Sequence, residues 1–216
     1  RDVLGTRAGI PAVNRTMKLY SIDANGNSGA HRDRNNYSWT GYMFKKFYPE
    51  IDGQYHSQRG NNIIRRFTGM RMHMRLTDVY LMYAEALHVA NGATTAPSSF
   101  SMTAEQVINK FRDRAGISHV HPSIVSDSNK FLDEIRRERA VELSYEGHRW
   151  VDIRRWGVAH EDKYRIKTKL NFDQNWTFFE EAELVDRVCE YPKHYWMPFE
   201  ANQTQFYQGF PQNPGW

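Results

Sequence analysis

The chain has 216 residues, 40% hydrophobic and 25% charged, the balance of an ordinary folded protein with one large domain or two small ones. Its net charge is +4, and Lys and Arg lie mostly beside Asp and Glu, as in Asp133-Glu134-Ile135-Arg136-Arg137-Glu138-Arg139. That interleaving argues against the one-sided basic footprint of a nucleic-acid binder. Mean hydropathy is -0.75, and no apolar run approaches the roughly 18 residues of a membrane-spanning helix.

Arg1-Asp2-Val3-Leu4 carries no initiator Met, no signal core and no lipid-acceptor Cys, which reads as a fragment or processed piece. Residues 1–40 form a loop-rich segment, with turn clusters such as Asp23-Ala24-Asn25-Gly26-Asn27-Ser28-Gly29. Tyr37 to Tyr48 has the aromatic content of one short extended segment, which Pro49 ends.

From Arg75 the pattern becomes helical: Leu76, Val79, Tyr80, Tyr83, Ala84 and Leu87 share one face, and Asn91-Gly92 ends it. Thr103 and Gln106 form a capping box for a second helix, with Val107, Ile108, Phe111 and Ala115 as its apolar face and Gly116 as its stop. A loop over Ser118 to Asp127 leads to a third helix starting near Asn129, in which Phe131, Leu132, Ile135, Arg139, Glu142 and Leu143 share a face. Glu146-Gly147 breaks it, and a short helix runs from His148 to Trp156.

The fold class expected is mostly α, an antiparallel layer like a tetratricopeptide array, although no repeat of about 34 residues is visible. A loop-rich C-terminal part follows, with at most one hairpin. Trp150, Trp156 and Trp196 are assigned to the core.

Familiar chemistry is scarce. His31-Arg32-Asp33 has the letters of a kinase catalytic loop, but the required Asn is Ser38 and no phosphate loop accompanies it. His119 and His121 lack further metal ligands at a recognised spacing, and Cys189 has neither a disulfide partner nor an activating His. No metal, cofactor or catalytic residue is expected. Glu134, Glu138, Glu142 and Arg139 lie at helical steps that favour a structural ion network, reaching Arg149, Asp152, Arg154 and Arg155 downstream. A pair of carboxylates placed for glycoside hydrolysis stays open as an alternative.

Several ordered stretches carry a resemblance. Arg75-Leu76-Thr77-Asp78-Val79-Tyr80-Leu81-Met82-Tyr83-Ala84-Glu85-Ala86 resembles the signature helix of the SusD/RagB outer-membrane nutrient-binding lipoproteins. Asn109 to Gly116, Ile135 to Glu142, Glu146-Gly147-His148-Arg149-Trp150 and Asp152 to Gly157 follow in the family's order, then Tyr195-Trp196-Met197-Pro198 and Gln212-Asn213-Pro214-Gly215-Trp216. Met197-Pro198-Phe199 departs from the family's apolar-Pro-Ile-Pro run, and residues 1–40 match nothing in it. The similarity therefore places residues 41–216 in the family's C-terminal domain, with its N-terminal half and lipid-bearing Cys missing.

The resemblance implies a binder and not an enzyme. Such a protein is held by lipid on the outward surface of the outer membrane in Bacteroidetes. There it captures oligosaccharides, or in some branches peptides, for a SusC-like TonB-dependent transporter. No binding residue transfers by motif, so candidates rest on chemistry: Trp39 in a polar loop beside Tyr37, and Asn175 with Trp176, where a ring is flanked by amide and hydroxyl groups. A plain helical-repeat scaffold for protein partners is the bland alternative.

Overall fold

The computed structural model describes residues 18–32, 38–42, 46, 73–200, 202 and 209–216, with 56–57 and 64–65 described by backbone alone. Of the expected extended segment at 37–48, residues 38–42 and 46 are among these, with a bend at 39–41, and the rest lies outside the described residues. Two compact units emerge, Met70–Asp152 and, separately, Arg1–Gly69 with Ile153–Trp216.

The first unit is the helical layer. Helix α1 (Leu76–Asn91) packs on α2 (Ala104–Ala115) and on α4 (Ser128–Glu142), with a four-residue α3 (Pro122–Val125) against α4. The loop expected at 118–127 thus contains a turn of helix, started by Pro122 at its first position and capped by the His121 side chain. Thr103 and Gln106 make the capping box in both directions, at 3.1 and 2.9 Å, and Gly116 ends α2 in the left-handed conformation with φ 67°. Leu81, Ala84, Val107, Ile108, Phe131 and Ile135 are fully buried at the centre. Each of the larger of these side chains contributes about 1.5–3 kcal/mol through burial.

Helix α1 turns inward only part of the face its spacing predicts: Ala84 and Leu87 are buried and Tyr80 and Tyr83 pack half-buried against the core. Leu76 and Val79 are 66% and 45% exposed, whereas Thr77, Asp78, Leu81, Ala84, Leu87 and His88 are buried. The cause is that α1 is apolar around most of its circumference, so burial of Asp78 against Arg139 decides its rotation. Ala115, expected on the inner face of α2, is likewise exposed.

Part of the expected ion network is present: it reaches Asp152 downstream, whereas Arg154 donates to the His194 carbonyl. Arg139 Nη1 donates to Asp78 Oδ1 at 2.6 Å and Nε to Asp152 Oδ2 at 2.7 Å, with all three side chains buried. Arg75 Nε donates to the Glu146 carboxylate at 2.9 Å, and its other nitrogens reach the Thr77 hydroxyl and the Glu142 carbonyl. Arg112 bonds Glu134 and pairs with Glu138 at 2.9 Å through Nε, an ion pair whose angle does not make a hydrogen bond. Burial opposes charge on Glu134, yet Arg137 and Arg112 outweigh it and hold that carboxyl below its usual range, whereas burial dominates at Glu138 and pushes it up.

Helix α5 (His148–Arg155) forms where the sequence places it, but Trp150 on it is 52% exposed. Trp196 is 63% exposed as well, and Trp156 is half-buried. Trp150 and Trp196 are corrected from core to surface positions, and Trp156 is only partly in the core. On α5 the residue drawn inward is Asp152, through its pair with Arg139, and this leaves Trp150 outside.

The second unit carries the hairpin: α6 (Asp162–Arg165) leads into β3 (Ile166–Phe172), which pairs antiparallel with β4 (Phe179–Asp186). Two short strands, β1 (His56–Ser57) and β2 (Ile64–Arg65), pair separately. Residues 18–32 run beside β3. Ser21 N–H and Oγ both donate to the Phe172 carbonyl, Ser21 Oγ accepts from Phe172 N–H, and Ile22 bridges Asp173. Arg32 secures the seam, donating to the Leu19 and Leu170 carbonyls at 3.0 and 2.7 Å and to Asn171 Oδ1 at 2.9 Å. Among the described residues no helix is long and apolar enough to cross a membrane.

Candidate functional site

The turn between β3 and β4 is built on one carboxylate. Asp173 Oδ1 accepts from the N–H of Thr177 at 2.6 Å and of Phe178 at 2.9 Å, while Oδ2 accepts from Asn175 N–H at 3.1 Å and the Thr177 hydroxyl at 2.9 Å. An Asp whose side chain replaces backbone partners in this way nucleates a tight turn. The Phe178 N–H, with help from Thr177 and Asn175, holds the Asp173 carboxyl below its ordinary value.

This cap places Trp176 at φ 63°, left-handed backbone that a bulky side chain rarely adopts. Such a conformation costs of order 1–3 kcal/mol and persists only where its surroundings over-determine it. Here those surroundings are the Asp173 bonds and the rings. Trp176 stacks on Phe172 with centroids 5.2 Å apart and lies 6.1 Å from Phe179. Phe172 is buried against Leu19, so the stack has a fixed base. Trp176 and Phe179 are each 56% exposed above it.

The structure thus groups two of the three residues singled out from the sequence. Trp176 presents a ring face. Asn175 next to it is exposed, and its side-chain amide makes no hydrogen bond among the described residues. Trp39 is 41% exposed on the 39–41 bend, where the neighbouring Thr40 carbonyl accepts from Leu170 N–H at 2.9 Å. That bond fastens the bend to β3, but Trp39 is not part of the Phe172, Trp176 and Phe179 stack. The sequence reading missed both phenylalanines. Their alternation along paired strands was the available signal, since Phe172 and Phe179 are register partners.

Other polar groups are structural. His119 pairs with Asp113 at 2.7 Å, and His121 caps α3. Among the described residues no group of three or more His, Cys, Asp or Glu is placed to hold a metal ion. His160 Nδ1 lies 2.6 Å from the Tyr195 hydroxyl, whose pKa burial raises, a contact that no motif announces. The closing Gln212-Asn213-Pro214-Gly215-Trp216 acts as a clasp. Gln212 exchanges hydrogen bonds with Phe199, Asn213 donates to the Met197 carbonyl, and Trp216 Nε1 donates to the Lys193 and Trp196 carbonyls.

The described residues form a mostly helical layer held by buried arginine–carboxylate pairs and a hairpin that displays stacked rings. Sequence comparison is more particular: the chain belongs to the SusD family, whose profile matches residues 12–216. It is 34% identical over 103 residues to SusD-like protein P2 of Formosa agariphila, covering 44% of this chain and 20% of that protein. It is 33% identical over 132 residues to SusD-like protein P25 of the same organism, covering 59% of this chain and 22% of that protein.

Among solved structures, a SusD-like protein from Bacteroides fragilis NCTC 9343 superposes with TM-score 0.53 at 23% identity, over 68% of this chain and 26% of that one. BT4246 superposes with TM-score 0.51 at 26% identity, over 68% of this chain and 24% of that one. The mostly α SusD-like fold is thereby shown. The chain spans 20% and 22% of the length of the two curated relatives.

Proposed function

We propose that this chain is a nutrient-capturing part of a SusD-type uptake system. It holds oligosaccharide at the outward face of the outer membrane, where the whole protein is lipid-anchored, and passes it unchanged to a SusC-like TonB-dependent transporter. On this reading the receptor's C-terminal portion takes in residues 41–216, where the motifs lie, together with residues 12–40, which the motifs left unplaced but the family profile also matches. The observation that carries it is the Trp176 ring, held in strained backbone on a stacked aromatic base and left open to solvent. Such a face packs against a pyranose ring, and the Asn175 amide beside it bonds hydroxyls.

A binder and not an enzyme is further supported by the state of the buried acids. Asp78, Asp152, Glu134 and Glu138 each face an arginine, which leaves none of them as a free acid or base in a cleft. Trp39 serves as a second, independent contact.

The test is a glycan array followed by calorimetric titration of the hits against the protein and its Trp176→Ala and Trp39→Ala variants. Binding that Trp176→Ala weakens by about tenfold, or about 1.4 kcal/mol, fits one stacked ring. Selective retention of peptides in place of glycans, or release of shortened sugars detected by chromatography, overturns the reading.

A further inference from the structure

Charge is unevenly distributed around the platform. From Leu170 to Asp186 the chain carries Asp173, Glu180, Glu181, Glu183 and Asp186 and no Lys or Arg, on a protein whose net charge is +4. Asp186 is neutralised by Arg165. Asp173, Glu180 and Glu181 have only neutral partners among the described residues: backbone N–H groups and Thr177 for the first, Asn171 for the second and Thr168 for the third.

The strand register places one of these acids beside the rings. Phe172 and Phe179 are opposite one another and share a face. Glu181, two residues beyond Phe179, lies on that face, and Thr168 Oγ1 donates to it at 2.6 Å from four residues before Phe172. Lys169, opposite Ala182, is on the other face. On the side of the rings the paired strands carry Glu181 and Glu183 and no Lys or Arg, while the nearest cation, Arg32, is taken up at β3 by the Leu170 carbonyl and Asn171 Oδ1. A ring face with carboxylates around it attracts an ammonium group and repels a carboxylate or sulfate.

We propose that the Trp176 platform selects its ligand by charge, accepting oligosaccharides whose contacted ring is neutral or carries an ammonium group and rejecting acidic ones. The selection rests on the sugar-capture reading above and adds the class of sugar to it.

The experiment titrates the protein with three hexamers, of cellulose (neutral), chitosan (ammonium) and galacturonate (carboxylate), at low salt and at about 1 M NaCl, where screening acts within about 3 Å. The expected order is chitosan tightest and galacturonate weakest, by about tenfold or more, with the spread collapsing in salt and in the Glu180→Gln, Glu181→Gln double variant. Galacturonate binding as tightly as the neutral hexamer, or a preference that survives Trp176→Ala, overturns the proposal.

If none of the hexamers binds, capture of these sugars fails, and the field is read without them. Caesium and iodide quenching of tryptophan fluorescence is compared between the protein and its Trp176→Phe variant. A caesium-to-iodide quenching ratio for the Trp176 component above that of free N-acetyltryptophanamide supports a platform that repels anions, and a ratio at or below it overturns the proposal.

Discussion

Asp78 and Arg139 stand 61 positions apart in sequence, yet Asp78 Oδ1 and Arg139 Nη1 meet at 2.6 Å with both side chains about 95% buried. The same guanidinium reaches Asp152, so one arginine ties α1, α4 and α5 together. Removing it leaves two buried carboxylates without a counter-charge. Arg139→Met is expected to cost about 3–5 kcal/mol in urea unfolding. Arg139→Lys is not expected to rescue it, since an ammonium lacks the planar fork that spans both acids. Replacing all three charges with apolar residues of similar volume should recover most of the loss.

The Asp173 turn gives a pH prediction. Its carboxyl is depressed below the ordinary aspartate value, so its contribution to hairpin order is fully present above that value and lost as pH falls through the lowered one. Trp176 emission followed on acidification should therefore change only below the normal aspartate range. Asp173→Asn should show the loosened spectrum already at neutral pH.

Gly41 tests the seam along β3. Its φ is 81°, and an added Cβ would lie 2.5 Å from the Leu170 carbonyl oxygen and 2.7 Å from Arg32 Nη1. Gly41→Ala is expected to destabilise by more than about 1 kcal/mol in thermal unfolding. The same change at Gly92, where an added Cβ meets nothing within 4 Å, carries only the strain of its positive φ and should cost less.

Trp216 tests the C-terminal clasp. Trp216→Phe keeps a ring beneath Lys193, whose Nζ is 4.7 Å from the Trp216 centroid, but removes the indole N–H shared by two carbonyls. The expected cost is about 1 kcal/mol. Amide exchange should speed up over 193–199 while the α1, α2 and α4 amides are unchanged.

What was legible in the sequence followed from local rules. The capping box at Thr103 and the Gly116 stop were set by residues within a few positions of each other, whereas the one hairpin allowed for the C-terminal part had no position until the strands at 166–186 gave it one. What was not legible depended on distant partners. The α1 spacing named Leu76 and Val79 as inward residues because periodicity cannot choose among apolar faces, whereas a buried Arg139 can. Trp150 and Trp196 were placed in the core because they lie on the family's typical helix and turn, but burial depends on what that helix and turn pack against. Arg32 stood in an accidental kinase-like triplet, and its role as a stitch to Leu170 and Asn171 rests on residues 138 and 139 positions away. At the site, Trp176 and Asn175 were readable as a ring beside an amide. The Phe172 base and the strained backbone were not.

The seam between residues 18–32 and β3 also bears on the order of assembly. Met70–Asp152 is one uninterrupted stretch, so it can collapse as soon as it leaves the ribosome. The Ser21 and Phe172 bonds close a loop of 151 positions and cannot exist until β3 has been synthesised. The β3–β4 turn is therefore the late-maturing piece. A chain cut short before residue 172 would carry the Met70–Asp152 helices and no aromatic face.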